Sequence, residues 1–227
     1  MNHLLTSGCS FSESSNSAWP TWLARHWTVP LTNVALGSQG NGLISRRLLS
    51  ALDLLLEQGL QPRVCVMWSG WSRTETMSLS GPYYRDCLRE NPTTAGHDPV
   101  WRIHNPHFDD AASVRVYRAL PDEHLIYVSL EHVLRTQWRL QQLGVDYLFM
   151  LYKGDALPAA DLVTGDHQGL LAQFDWSRWI TDPMWEWCKT HSGIAMPRAD
   201  VDDHPRPPHH RQWAESVVAP WFLSTQR

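Results

Sequence analysis

The chain opens on His3-Leu4-Leu5-Thr6-Ser7-Gly8-Cys9-Ser10-Phe11-Ser12. A short apolar run ending in small residues reads as a buried strand over residues 3–6 followed by a tight turn. Residues 18–27 then carry Trp19, Trp22, Leu23 and Trp27 at helical spacing, with Pro20 in the first turn, where proline is tolerated. The same alternation repeats downstream. Residues 32–35 predict a second strand, and residues 43–60 predict a helix with Leu48, Leu49, Leu52, Leu55 and Leu56 on its apolar face and Gly59 at its close. Residues 63–68 and 146–152 are near-continuous apolar runs, the pattern of strands buried on both faces of a parallel sheet. A long helix is expected over 122–143, one or two over 157–193, and a closing helix over 209–223. Residues 69–110, rich in Gly, Pro, Asn and His, read as a long insertion or lid.

Strand and helix in alternation, with short connections, predict an α/β fold: a single domain over residues 1–227, three layers, and a central parallel sheet of about five strands. Ligands bind such sheets beyond the carboxyl ends of the strands, which directs attention to the turns that leave them.

The 227 residues are 43% hydrophobic and 19% charged, with a net charge of −4. Thirteen tryptophans and this apolar fraction exclude a disordered chain. The mild acidity offers nothing to nucleic acid or to an anionic membrane surface. No apolar run approaches the roughly 18–20 residues of a membrane span, and residues 1–10 lack the pattern of a secretion signal. Cys9, Cys65, Cys87 and Cys188 form no CxxC pair, which points to a reduced, cytoplasmic place of synthesis, with release by lysis left open.

The turn holding Ser10 is the first candidate for chemistry. A serine there is exposed, and its amide lies near a helix N-terminus, where it can face an oxyanion. Serine needs a base, usually a histidine oriented by a carboxylate. Asp200-Val201-Asp202-Asp203-His204-Pro205, just before the last helix, offers both. Most serines in such turns are ordinary helix caps, so neither half is specific alone.

Together the pieces resemble the SGNH (GDSL-type) hydrolases, α/β/α esterases with flavodoxin-like winding that are recognised by four short blocks. Gly8-Cys9-Ser10 stands where that family has Gly-Asp-Ser. Asn33-Val34-Ala35-Leu36-Gly37 matches its Asn-x-Ala-x-Gly block, and Asp202-Asp203-His204-Pro205 with His210 matches its last block. The resemblance implies a Ser10, His204, Asp202 triad, with Asp200 and Asp203 as alternative acids, and oxyanion donors at the Ser10 and Gly37 amides. It implies an acyl-enzyme mechanism without metal or cofactor, on a small-molecule or glycan ester, and a structural role for His210. A compact, Trp-rich version of these blocks is also similar to hydrolases of bacteriophage genomes.

The third block departs from the family. Gly70-Trp71-Ser72-Arg73 occupies the place of Gly-x-Asn-Asp, so the asparagine that donates to the oxyanion is missing. Ser72, Arg73 or Asn41 could substitute, and Asn41, Trp71 and Arg73 are candidate substrate contacts. The family's last-block Asp position is Val201 here. These departures favour a rival reading, a non-catalytic protein that binds a glycan or a partner on the same fold.

Blander explanations accompany the remaining motifs. Trp68, Trp71 and Trp101 lie nearest the expected cleft, where they could stack on a sugar, whereas Trp22, Trp179 and Trp213 read as core. Arg73 beside Glu75 could clamp a substrate carboxylate or form a plain ion pair. His104, His107, Asp109, Asp110 and His209-His210 could seat zinc, but a solvated polar loop explains them better. Gly37-Ser38-Gln39-Gly40-Asn41-Gly42 lacks the pattern of a phosphate-binding loop.

Overall fold

The apolar runs do become strands in the computed structural model, which describes residues 2–13, 17–77, 100–197 and 204–224. Along the chain lie β1 (His3–Gly8), α1 (Trp19–Trp27), β2 (Leu31–Asn33), α2 (Asn41–Glu57), β3 (Pro62–Trp68), β4 (Thr74–Met77) and β5 (Trp101–His104). They are followed by α3 (Ala111–Ala119), α4 (Asp122–Gln142), β6 (Tyr147–Leu151), α5 (Gly165–Leu171), β7 (Trp179–Ile180), α6 (Met184–His191), α7 (Pro207–Trp213) and α8 (Ala219–Ser224).

The central sheet has the order β2-β1-β3-β6-β7, and every pairing is parallel. Helices flank it: α2 packs on α4, while α1 packs on α7 and on the π-helical turn Ala214–Val218 that joins α7 to α8. In the register Gly8 stands opposite Met67 and Thr6 opposite Asn33, so β1, β2 and β3 release their chains at one edge. The three turns that the sequence singles out are therefore neighbours in space.

Several boundaries move for identifiable reasons. The second strand ends at Asn33 instead of residue 35, where the Asn33 side chain accepts from the Ala35 amide, although the Val34 and Leu36 amides still donate to the Thr6 and Gly8 carbonyls of β1. Helix α2 starts two residues earlier than expected, with Gly40 as its N-cap. Within 157–193, expected to be helical, Trp179 and Ile180 form the fifth strand beside Phe149 and Met150. The expected insertion contains an antiparallel pair, β4 with β5, between residues 74–77 and 101–104. Its residues 78–99 lie outside the described residues.

The core is aromatic through the middle of the sheet. Phe149 meets Trp68 and Trp179 edge-to-face, each at 5.2 Å between ring centroids, a favoured arrangement for π-systems. Trp68, expected at the cleft, is 1% exposed and belongs to this core. Trp179 and Trp213 are buried as expected, and Trp22 is partly buried against the core. Trp101 carries the Arg46 guanidinium 4.2 Å over its ring and thereby ties β5 to α2.

Replacing Trp68 with alanine removes a fully buried ring from between sheet and helices. Trp68→Ala is expected to lower unfolding stability by about 3–5 kcal/mol in urea titrations. A loss below about 1 kcal/mol would place that ring outside the core.

Candidate active site

Close packing at the end of β1 shapes the turn that carries Ser10. A Cβ at Gly8 would lie 2.5 Å from Ser12 Oγ and 3.0 Å from the Met67 carbonyl, so only glycine lets the turn fold back this tightly. The Ser12 amide donates to the Cys9 carbonyl (2.9 Å). Ser12 itself is buried: its Oγ accepts from Trp19 Nε1 (2.9 Å) and its carbonyl from Asn33 Nδ2 (2.7 Å). Asn33 Oδ1 in turn accepts from Thr6 Oγ1 at 2.9 Å and from the Ala35 amide at 3.1 Å. One buried carboxamide thus joins β1, the Ser10 turn and the turn after β2.

The histidine arrives from the far end of the chain. His204 Nε2 and Ser10 Oγ are 2.7 Å apart although 194 residues separate them in sequence. The imidazole lies 5.1 Å from the Phe11 ring, which limits where it can swing. Behind it, His210 Nδ1 accepts from the Trp19 amide (3.3 Å), which leaves Nε2 to carry the hydrogen and donate to the Pro205 carbonyl (3.1 Å). His210 therefore pins the His204-Pro205 segment to the start of α1. Burial, with smaller contributions from His209 and His204, pushes the His210 pKa down to about 4, consistent with a neutral ring that both accepts and donates. Asp200, Asp202 and Asp203, the three candidate acids, lie outside the described residues.

Beside Ser10 stands the turn after β2. The Leu36 amide (3.1 Å) and Gln39 Nε2 (2.5 Å) both donate to the Gly8 carbonyl, and Ser38 takes a left-handed conformation (φ 63°) of the kind found at functional turns. Among the described residues, nothing accepts from the amides of Ser10 or Gly37. Glu13 lies close by, with its Oε2 3.0 Å from where a Gly37 Cβ would be.

On the other side, Asn41 is 3% exposed and its amide is engaged within the protein. Its Oδ1 accepts from the Ser69 amide (2.8 Å), while Nδ2 donates to the Ser69 carbonyl (3.1 Å) and to Ser129 Oγ (2.8 Å). That geometry makes Asn41 a clamp between β3 and α4 instead of a substrate contact. The adjacent glycines allow close approach: a Cβ at Gly40 would overlap the Arg73 carbonyl, and one at Gly42 would overlap the Glu75 carboxylate. Glu75 pairs with Arg46.

Ser72 Oγ and Arg73 Nε lie 3.9 and 4.0 Å from the position of a Gly70 Cβ, and Trp71 is half-buried near them. Arg73 Nη1 donates to Ser69 Oγ (2.9 Å), and the guanidinium lies 5.2 Å over the Tyr152 ring. Tyr152 and Lys153 complete this side: the Tyr152 ring meets Phe11 edge-to-face at 5.2 Å, and Lys153 Nζ lies 4.9 Å over Trp185. Burial pushes the Tyr152 pKa well up, so its hydroxyl keeps its proton. Neither residue lies in a recognisable sequence motif. Their position directly after the fourth apolar strand, at the ligand-binding edge, was the available signal.

His104, read with His107 and the neighbouring aspartates, is buried between Thr76 Oγ1 (2.8 Å) and Ser113 Oγ (3.1 Å), where it ties β4 and β5 to α3. Asp110 caps α3 by accepting from the amides of Ala112 and Ser113. Both side chains thus have structural roles.

No protein-family model matches the chain, and no curated protein matches it in sequence. Solved structures do resemble it. The psychrotrophic esterase EstA from a Pseudoalteromonas species aligns over 98% of this chain and 100% of its own, with a TM-score of 0.53 at 14% identity. A protein of the G-D-S-L family from Desulfitobacterium hafniense aligns over 96% and 99%, with a TM-score of 0.53 at 10% identity. At such identities the likeness establishes the three-layer fold of these proteins for this chain.

The His210 geometry has a measurable consequence. Its folded pKa lies below the usual 6.5, so its stabilising contribution is complete above pH 6.5 and is lost as pH falls toward 4. Stability measured by urea titration should decline across that window, and less steeply in His210→Gln. A slope unchanged by the substitution would contradict a buried neutral His210.

Proposed function

We propose that the protein is a serine esterase that hydrolyses small acyl esters. The observation that carries this reading is the 2.7 Å contact between Ser10 Oγ and His204 Nε2 at the carboxyl edge of a parallel sheet. That distance is within hydrogen-bond reach of a general base and its nucleophile. The fold, shared with the Pseudoalteromonas esterase and the G-D-S-L protein, supports it as an analogy of scaffold.

In this mechanism His204 takes the Ser10 proton as Oγ attacks the ester carbonyl. The carbonyl oxygen becomes an oxyanion facing the amides of Ser10 and Gly37, with Ser72 at the rim. His204 then returns the proton to the departing alcohol and leaves an acyl-Ser10 ester. Water, deprotonated by the same imidazole, releases the acid. Asp202, or its neighbours Asp200 and Asp203, would hold the His204 ring in the tautomer that leaves Nε2 free to accept. Every step uses the chain's own groups, and none calls on a metal or cofactor.

For the substrate we propose an acetyl or similar small acyl ester on a carbohydrate, with Trp71 and Arg73 as contacts. The basis is the half-buried Trp71 beside Ser72 and the aromatic content of the chain. The rival reading, a non-catalytic glycan- or partner-binding protein, draws on the missing third-block asparagine and on the Glu13 carboxylate near Gly37, which opposes an oxyanion there.

Hydrolysis of p-nitrophenyl acetate between pH 6 and 9 separates the two. The esterase reading predicts a rate that rises with pH and falls at least about 10³-fold in Ser10→Ala and in His204→Ala. A wild type no faster than Ser10→Ala would favour the binding protein.

A further inference from the structure

We infer that the Arg73 guanidinium serves as the oxyanion donor that the third block otherwise lacks. This rests on the esterase reading above and names a further catalytic group for it.

The Asn41 amide is fully engaged between Ser69 and Ser129 and so is not available to a substrate. The bare side of Gly70 offers other donors. Three polar atoms face the position of its absent Cβ: Tyr152 Oη at 3.4 Å, Ser72 Oγ at 3.9 Å and Arg73 Nε at 4.0 Å. β3 runs beside β1 with Met67 opposite Gly8, so this notch follows the same sheet edge as the Cys9-Ser10 turn.

Arg73 is held there from several directions. Its backbone carbonyl packs directly on Gly40, three residues beyond Gly37. Its guanidinium is anchored by Ser69 Oγ at 2.9 Å and lies 5.2 Å over Tyr152. Tyr152 touches Phe11, and Phe11 touches His204, so Arg73 belongs to one continuous arc of side chains around the nucleophile.

Of the three groups facing the notch, Arg73 is best suited to a developing negative charge. A guanidinium is permanently cationic, and its hydrogen bonds to an oxyanion are about twice as strong as those of a neutral donor. Ser72 offers one neutral hydroxyl. The Tyr152 hydroxyl is likewise a neutral donor, kept protonated by burial. A cation also offsets the Glu13 carboxylate near Gly37. In the step itself Ser10 Oγ bonds to the carbonyl carbon, the C=O π electrons move to oxygen, and the Ser10 proton passes to His204. Arg73 keeps all its protons and donates hydrogen bonds to the new oxyanion.

The test compares Arg73→Ala, Arg73→Lys, Ser72→Ala and Tyr152→Phe on p-nitrophenyl acetate, with folding checked by circular dichroism. Arg73→Ala should lose about 10²–10³ in kcat with little change in KM, and Arg73→Lys, which retains the charge, should lose less. Added guanidinium ion should restore part of the Arg73→Ala rate, a rescue that a merely structural arginine would not show. Ser72→Ala should lose less than Arg73→Ala. A loss under about threefold in Arg73→Ala, a loss confined to KM, or a larger loss in Ser72→Ala would overturn the assignment. Labelling of Ser10 by a fluorophosphonate probe distinguishes the levels of failure. If Ser10 reacts and Arg73→Ala is as fast as wild type, only this inference falls; if wild-type Ser10 is inert, the esterase reading falls and this inference with it.

Discussion

One buried carboxamide holds the geometry of this site together. Asn33, 3% exposed, accepts from Thr6 and Ala35 and donates to the Ser12 carbonyl, so the ends of β1 and β2 and the Ser10 turn are fixed relative to one another. Each bond is worth only about 1 kcal/mol net, but leaving a partner buried and unsatisfied costs more. Position and stability are therefore coupled: the turn cannot shift without exposing or orphaning a buried polar group. Asn41 does the same work on the opposite side, between the end of β3 and α4. Two asparagines thus hold the turns on either side of Ser10.

The remaining constraint is long-range. Ser10 and His204 come from opposite ends of the chain, and His210, seated on the Trp19 amide, brings the second end to the first. The interaction uses both ring nitrogens of His210 and so depends on its neutral form. Local folding of either end alone cannot assemble the pair, which depends on completion of the sheet that separates them.

Much of this was legible in the residues themselves. Continuous apolar runs identify β3 and β6, since a strand buried on both faces needs no polar alternation, and the leucine spacing identifies α2. The short motifs around Ser10, Gly37 and His204 mark three positions that the fold brings to one edge. Other features carry no local signature. The two-residue β7 is too short for any periodicity and exists because Trp179 stacks on Phe174 and meets Phe149 across the sheet. Gly40 and Gly42 suggest a phosphate loop by composition, but their purpose is to let Arg73 and Glu75 approach α2. Trp68 carries no mark of which way it faces, and it faces the core. Tyr152 and Arg73 meet only in three dimensions, 79 residues apart in sequence.

If the proposed esterase mechanism operates, Ser10 carries a covalent acyl group during turnover. Intact-protein and peptide mass spectrometry after rapid acid quenching of a reaction with an acetyl ester would detect that group. One acetyl group per chain is expected, located on Ser10 and absent from His204→Ala. Turnover with no acyl group on Ser10, or acetylation that persists in Ser10→Ala at the wild-type level, would contradict that mechanism.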